Sequence, residues 1–372
     1  MSVKISEIIK IVEEIAPLSL AEKWDNSGLQ VGQGDWPVKK IVIALDPLLD
    51  VVEYACDIDA DLLITHHPLI FKPLSKIDFS TPSGEIIKMS LENKLAIYST
   101  HTNFDSAVGG LNEILAERIG LANIEVLNKS NVNKKCKVIF FVPEEHKDIV
   151  LEALFDSPAG HIENYTCCTF RNTGIGTFKP VEGAEPSEGN INDLSTVNEV
   201  KIETVIAESD LDLVVNKVKK CHPYESMAYD VFPLITKKTD TGLGRVGVLK
   251  DPLSLKQFAL NIKNSLGLEH IKIAGSEELV VDRVALCTGS GSSLMKDFFK
   301  SGAQVYLSGD LHYHDARTVE EKQLGLIDVG HFASEIIIIE ALQKQLHNIC
   351  LKRKYDIEII ASPVEKDPFI LL

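Results

Sequence analysis

Six histidines stand out by where they fall in the chain, in the segments Thr65-His66-His67-Pro68, His101-Thr102-Asn103-Phe104-Asp105, Gly309-Asp310-Leu311-His312-Tyr313-His314 and Gly330-His331-Phe332-Ala333-Ser334-Glu335. Each segment follows closely on an apolar run that reads as a buried strand. His331 and Glu335 are four apart at the start of an expected helix, so both side chains lie on one face and can point at one ion. His101 and Asp105 share that spacing in an expected loop, where the geometric argument is weaker. Vicinal His66 and His67 face opposite ways on an extended chain, and can serve two different ions if the chain turns at Pro68. Taken singly, a His-His pair is usually a coincidence and a His/Glu pair a helix-surface contact. Placed together at strand ends, the four segments predict a shared metal site. Imidazole with carboxylate and no thiolate suits Zn, Fe, Mn or Co.

Other segments carry less. Thr288-Gly289-Ser290-Gly291-Ser292-Ser293 is a small-residue loop between a strand and a helix, where backbone amides can hold a phosphate, but it lacks the Walker lysine and GxGxxG spacing and reads equally as a tight turn. Trp24-Asp25-Asn26-Ser27-Gly28-Leu29 reads as a packed turn or a pocket wall. Local signatures assemble neither a Cys/His nucleophile nor a Ser triad.

The elements that must position these residues are α/β. Lys40–Asp46, Asp61–Thr65 and Leu95–Thr100 read as buried strands, with helices at 49–55 and 83–93. Arg283–Thr288, Gln304–Ser308 and Gly325–Val329 repeat the pattern, with helices from Ser292 and Ser334. The expectation is a pseudo-symmetric, largely parallel sheet, three strands echoing three, with ligands collecting at the carboxyl ends of the strands. Between these halves, Cys136–Val142, Glu144–Phe155, Tyr165–Arg171, Val197–Ile206, Asp210–Cys221 and Met227–Pro233 give a β-α-β-β-α-β order, the split βαβ plan of ferredoxin-like domains. This predicts an insert over 134–234, with a surface loop from Gly174 to Ser195, inside a core made of 1–130 and 236–372.

Composition fits a soluble chain of two or three domains: 372 residues, 45% hydrophobic and 25% charged. The net charge of -16 opposes nucleic-acid backbones and anionic lipid. Seven cysteines without a CxxC pair suit a reducing compartment. The N-terminal stretch is amphipathic and contains acidic residues, unlike an export signal, and the longest aliphatic run, Ile336 to Ile339, is far short of the ~20 residues of a membrane span. A cytoplasmic location is expected.

The motifs Glu22-Lys-Trp-Asp-Asn-Ser-Gly-Leu-Gln-Val-Gly32, Thr65-His-His-Pro-Leu69, His101-Thr-Asn-Phe-Asp105, Cys287-Thr-Gly-Ser-Gly291, Ser308-Gly-Asp310 and Gly330-His-Phe-Ala-Ser-Glu335 resemble those of the Nif-three-like proteins, also called GTP cyclohydrolase I type 2 homologues or the dinuclear metal-centre family. His222-Pro-Tyr-Glu225, with Ala228-Tyr-Asp230 and Pro233, is similar to the PII-like or CutA-like insert of the longer, YqfO-like members. The resemblance covers essentially the whole chain. It implies a Nif-three-like α/β core with an inserted ferredoxin-like (PII/CutA-like) α+β domain, and a homohexameric ring with its metal sites facing inward. It also implies two divalent ions per chain, Zn foremost, held by His66, His67, Asp105, His331 and Glu335, with Asp105 and Glu335 as bridging candidates. His101 stands beside that set as the catalytic proton shuttle, His314 is the fallback, and Asp310, His312 and His314 are outer contacts. The implied activity is metal-dependent hydrolysis of the cyclohydrolase type on a small molecule or nucleotide such as GTP. The competing reading is a non-enzymatic metal-binding regulator or metal-delivery protein with a PII-like sensory insert.

Overall fold

The computed structural model describes residues 3–129, 135–162, 165–235 and 241–370. The chain divides into two compact units, Met1–Ser130 with Asp240–Leu372, and Asn131–Thr239. The core and insert ends expected at 130, 134 and 236 lie outside the described residues.

The larger unit holds two sheets rather than one. The first has the order Gly28–Val31, Ala96–Ser99, Leu62–Thr65, Lys40–Ala44, Glu358–Ala361, parallel except for its first strand. The second has the order Lys272–Ala274, Gly325–Asp328, Val305–Gly309, Val280–Ser290, Gly242–Ser254, Ala122–Lys129. Its three parallel strands are flanked by antiparallel ones on both sides. The expected echo of three strands against three is therefore split between sheets, each extended by mixed-polarity strands whose sequence gives no continuous apolar run.

Continuous apolar runs make the central strands because helices cover both faces of each. Ile41, Ile43, Leu62 and Ile64 of the first sheet and Val284, Leu286, Val305 and Leu307 of the second share one core with Leu111, Leu115, Phe258, Ile338 and Leu342. Fully burying such a side chain contributes roughly 1.5–3 kcal/mol. The helix Ile5–Ile15 turns Ile5, Ile8, Ile11 and Val12 inward at helical spacing. Arg245 is buried inside the unit, where it donates to the carbonyls of Gly242, Gly244 and Ala107 at 2.7–3.0 Å and lies 3.5 Å from Glu113. Its bond to Ala107 ties the second sheet to the end of the helix that carries Asp105.

In the smaller unit the antiparallel order is Thr169–Phe178, Ser195–Ala207, Lys135–Pro143, Tyr229–Pro233. Helices Lys147–Phe155 and Leu211–Lys219 bury Val150, Leu154, Val214 and Val218 against Val138, Phe140, Val200 and Ile202. The strand expected at 165–171 begins at Thr169 and runs past Gly174 to Phe178, so the loop is shorter than expected and spans 179–194. Its partner strand supplies an unbroken ladder from Thr204 to Ser195 that carries the glycines along. Among the described residues no helix is long and apolar enough to cross a membrane.

Candidate metal centre

Three strand ends bring their histidines to one place, while His312 and His314, which follow Val305–Gly309, stay outside it. Leu62–Thr65 delivers His66 and His67, Ala96–Ser99 delivers His101, and Gly325–Asp328 leads to His331. The segment Thr102–Ser106 is a short helix rather than the expected loop, with His101 at its N-terminal edge and Asp105 in its first turn. His331–Glu335 is the expected helix start. Four imidazoles pack together, His66 against His67 and His101 at ring-centroid distances of 5.1 Å, and His67 against His101 at 5.4 Å and His331 at 5.5 Å. Ligand atoms of His66, His67 and His101 lie within 4.8 Å of one another, as do those of His67, His331 and Glu335. Asp105 joins them through Oδ1, 3.7 Å from His66 Nε2.

Each ring is held by its far nitrogen. Nδ1 of His66 meets the Thr100 carbonyl at 2.9 Å, that of His67 meets Asp46 at 2.8 Å, that of His101 meets Asp25 at 2.8 Å and that of His331 meets Asp310 at 2.7 Å. Such outer acceptors fix ring orientation and tautomer and make Nε2 a better donor to a metal. What Nε2 faces is the telling feature. Nε2 of His66, Nε2 of His331 and Oε2 of Glu335 are buried without a hydrogen-bond partner. Glu335 Oε2 lies 2.9 Å from His331 Nε2 and 3.1 Å from His67 Nε2, close but out of hydrogen-bond alignment. Buried polar atoms left this way cost free energy unless something else satisfies them. A cation facing these lone pairs does so, and the imidazole and carboxylate donors fit it.

The electrostatics agree. Burial opposes ionisation of Glu335, but the imidazoles of His66, His331 and His67 outweigh it and hold its carboxyl well below the usual range. Burial likewise works against a charged His67, yet Asp46 and Glu335 push its pKa up to about 10. Glu335, helped by Asp310, raises His331 to about 9 against its burial. The carboxylates thus demand positive charge at this spot, whether protons or metal ions. Burial, with Asp105 and Glu335 nearby, pushes the Cys287 thiol up, so it stays a neutral core side chain.

Gly289 has φ +62°, and a Cβ there would come within 2.1 Å of Glu335 Oε1. The amides of Thr288 and Gly289 are taken by Asn112 Oδ1 and Ser334 Oγ at 2.9 and 2.8 Å, so this stretch braces the site and does not offer those amides to a phosphate. Trp24 is exposed beside the cluster, its ring centroid 5.9 Å from His101 and 5.8 Å from the exposed Phe71. His312 is exposed and bonded through Nδ1 to Ser292 Oγ at 2.8 Å. His314 stands exposed on the helix Tyr313–Glu321, edge-on to Tyr313.

Sequence reasoning missed Asp46 and the role of Asp25. Asp46 carried a usable signal, since it too sits just past a buried strand, two residues beyond Ala44 as His67 is two beyond Thr65, and those strand ends are paired.

The family model for Duf34/NIF3 (NGG1p interacting factor 3) matches residues 3–368. The chain is 38% identical over 371 residues to a Bacillus subtilis protein named GTP cyclohydrolase 1 type 2 homolog, covering 100% of this chain and 99% of that one. Among solved structures, a Bacillus cereus protein related to NIF3 matches at 39% identity with TM-score 0.70, over 100% of both chains. Staphylococcus aureus protein SA1388 matches at 28% identity and TM-score 0.72, over 100% of this chain and 99% of the other.

Proposed function

The chain belongs to the Duf34/NIF3 family, and on that premise we propose that it holds two divalent metal ions, Zn foremost with Fe, Mn or Co as alternatives, and acts as a metal-dependent hydrolase. The observation that carries the metal reading is the pairing of four anchored Nδ1 atoms with unpartnered Nε2 and Oε2 atoms facing one another. Because Asp46 occupies Nδ1 of His67, that ring has one nitrogen left and serves one ion. Glu335 has two oxygens, Oε1 3.7 Å from His66 Nε2 and Oε2 at 3.1 and 2.9 Å from His67 and His331 Nε2. Glu335 would thus serve both groups, with His66, Asp105 and His101 holding one ion and His67 and His331 the other.

His101 is read here as a ligand before a proton shuttle, since its ring belongs to the His66–His67 group. When bound, such ions supply Lewis-acid polarisation and activation of water. The protein's part is to hold the donor set rigid and to present Trp24 and Phe71 as an aromatic wall beside it.

Elemental analysis of the loaded protein should give near two equivalents per chain, and one or none in a well-folded wild type ends the dinuclear reading. His101→Ala should lose about one equivalent; retention of both with loss of turnover returns His101 to proton transfer. Turnover is tested on GTP and on small cyclic amides. A metal-replete protein that hydrolyses none of them, yet binds a partner or metabolite only when metal-loaded, supports the regulator or delivery reading instead.

The smaller unit is read as the PII-like or CutA-like insert, supported by its β-α-β-β-α-β element order. A homohexamer completes the proposal, and a monomer mass by light scattering at micromolar concentration counts against it.

A further inference from the structure

The smaller unit contains a cavity of about 420 Å³ that the metal chemistry does not use. It lies where the end of the strand Thr169–Phe178, the following loop and the turn after His222 come together, and Phe141, Phe178, Pro180, Pro186 and Tyr224 wall it. That volume is in the range of small-ligand sites, and an apolar wall with a few polar groups is their usual make-up. Its charged groups are mostly of one sign. Glu199 and Glu225 line it against a single Lys179, which is exposed.

The geometry is built rather than incidental. His222 Nδ1 accepts from the Tyr224 amide at 3.1 Å, so Nε2 carries the ring proton and donates to the Phe141 carbonyl at 3.0 Å. The ring is thus neutral and fully used, in keeping with the fall in its pKa that burial causes. It pins the turn to the strand Lys135–Pro143 and sets Tyr224 edge-on to itself at 5.1 Å and 5.9 Å from Phe178. Tyr224 then donates its hydroxyl to Glu199 Oε1 at 3.0 Å. Burial and the Glu199 charge both push the Tyr224 pKa up, so that proton stays on the phenol. Among the described residues no donor takes Glu199 Oε2. At Gly176 a Cβ would come 2.2 Å from that oxygen, so only glycine leaves the carboxylate its place. Glu225 Oε2 accepts from the Glu185 amide at 2.8 Å, which holds the loop over the cavity.

We propose that this cavity is a binding site for a small organic cation, an amine or alkylammonium whose apolar body lies against Phe141, Phe178 and Tyr224 and whose charge is met by Glu199, with Glu225 at the rim. Aromatic faces attract cations through the ring quadrupole, and a carboxylate fixed by a tyrosine hydroxyl needs no reordering to receive one. An anion of the same shape meets two carboxylates and is repelled.

The test uses the full, metal-loaded chain and benzylammonium as the probe, followed by calorimetry or saturation-transfer NMR. Benzyl alcohol and benzoate serve as the neutral and anionic controls. Benzylammonium should saturate one site per chain, with both controls at least tenfold weaker. Glu199→Gln should weaken it at least tenfold. Gly176→Ala should do the same while preserving the fold, since the group displaced is the end of a flexible side chain. Metal content should be unchanged in both variants, which separates this site from the histidine centre. Absence of saturable binding, equal binding of benzyl alcohol, or undiminished binding in a folded Glu199→Gln protein overturns the proposal.

Discussion

The two sheets of the larger unit solve the same problem with the same device and then diverge. In the first, Ala44 pairs with Thr65, and two residues beyond each, Asp46 meets His67. In the second, Ser308 pairs with Asp328, and just beyond them Asp310 meets His331. Each sheet thus lets one parallel strand supply a histidine and its neighbour the carboxylate that orients it. Past these pairs the two sheets differ. The first sheet adds two further imidazoles, His66 and His101, from strand ends. The second adds Glu335, which faces both groups, and Gly289, which makes space for it. Three of the four imidazoles and Asp105 come from one half, and His331 with Glu335, which faces both groups, from the other, so each half alone holds only part of the cluster.

The largest effect expected from breaking this division is at Glu335. Glu335→Gln removes the one carboxylate among the described residues with oxygens facing both histidine groups, and bound metal should fall from about two equivalents to one or fewer. Elemental analysis after dialysis reads this directly. Full retention would mean that the second half contributes no more than His331. Next comes Gly289→Ala, which has no counterpart in the first sheet. A methyl group 2.1 Å from Glu335 Oε1 must displace that side chain, and φ +62° strains any L residue by roughly 1–2 kcal/mol. Metal affinity should drop more than tenfold, with a lower Tm even in excess metal.

The echoed pairs offer a finer comparison. Asp46→Asn and Asp310→Asn remove equivalent carboxylates, and loss of such an outer partner typically costs about 10–100-fold in metal affinity. Asp46 should matter more, because the side chains of Asp46 and His67 are 35% and 23% exposed, against 48% and 35% for Asp310 and His331. Competition with a chromophoric chelator ranks the two variants, and equal losses would make the halves equivalent in energy as well as in register.

The legibility of the sequence has its origin in the same geometry. The buried parallel strands were legible because each is a continuous apolar run that stops at a polar residue, and His66, His67, His101, His331 and Glu335 were legible as the residues at those stops. The strands Ala122–Lys129 and Gly242–Ser254 were not, because the first is half polar and the second carries three glycines and the buried Arg245. Asp25 was hidden for a different reason. It lies 76 residues from His101. Only the antiparallel pairing of Gly28 with Ser99 carries the turn before one strand to the residues after the other. A turn-forming Trp-Asp-Asn segment gives no local sign of that partner.

The smallest expected effect concerns a part of the first half that the second lacks. Beyond the strand Glu358–Ala361, the chain brings back Glu365, whose Oε1 accepts from the amides of Leu45 at 2.7 Å and Asp46 at 2.8 Å. This carboxylate holds the loop that carries Asp46, and through it the ring of His67. Burial pushes its pKa up to about 7, against the pull of the two amides. The sign comes from linkage. A carboxyl that binds its proton more tightly when folded contributes stability below its ordinary value near 4.5, and that contribution is lost as pH rises through about 7. Metal ligation runs the other way, since protons compete with the ions as pH falls. Glu365→Gln cannot titrate, so in saturating metal the wild-type Tm minus the variant Tm should decline between pH 5 and pH 8 by a few degrees. Because both proteins keep the same metal ligands, the subtraction removes the opposing trend. A difference that rises across this range would mean that the two amide bonds outweigh burial, and that the Asp46 loop is held most firmly by an ionised Glu365.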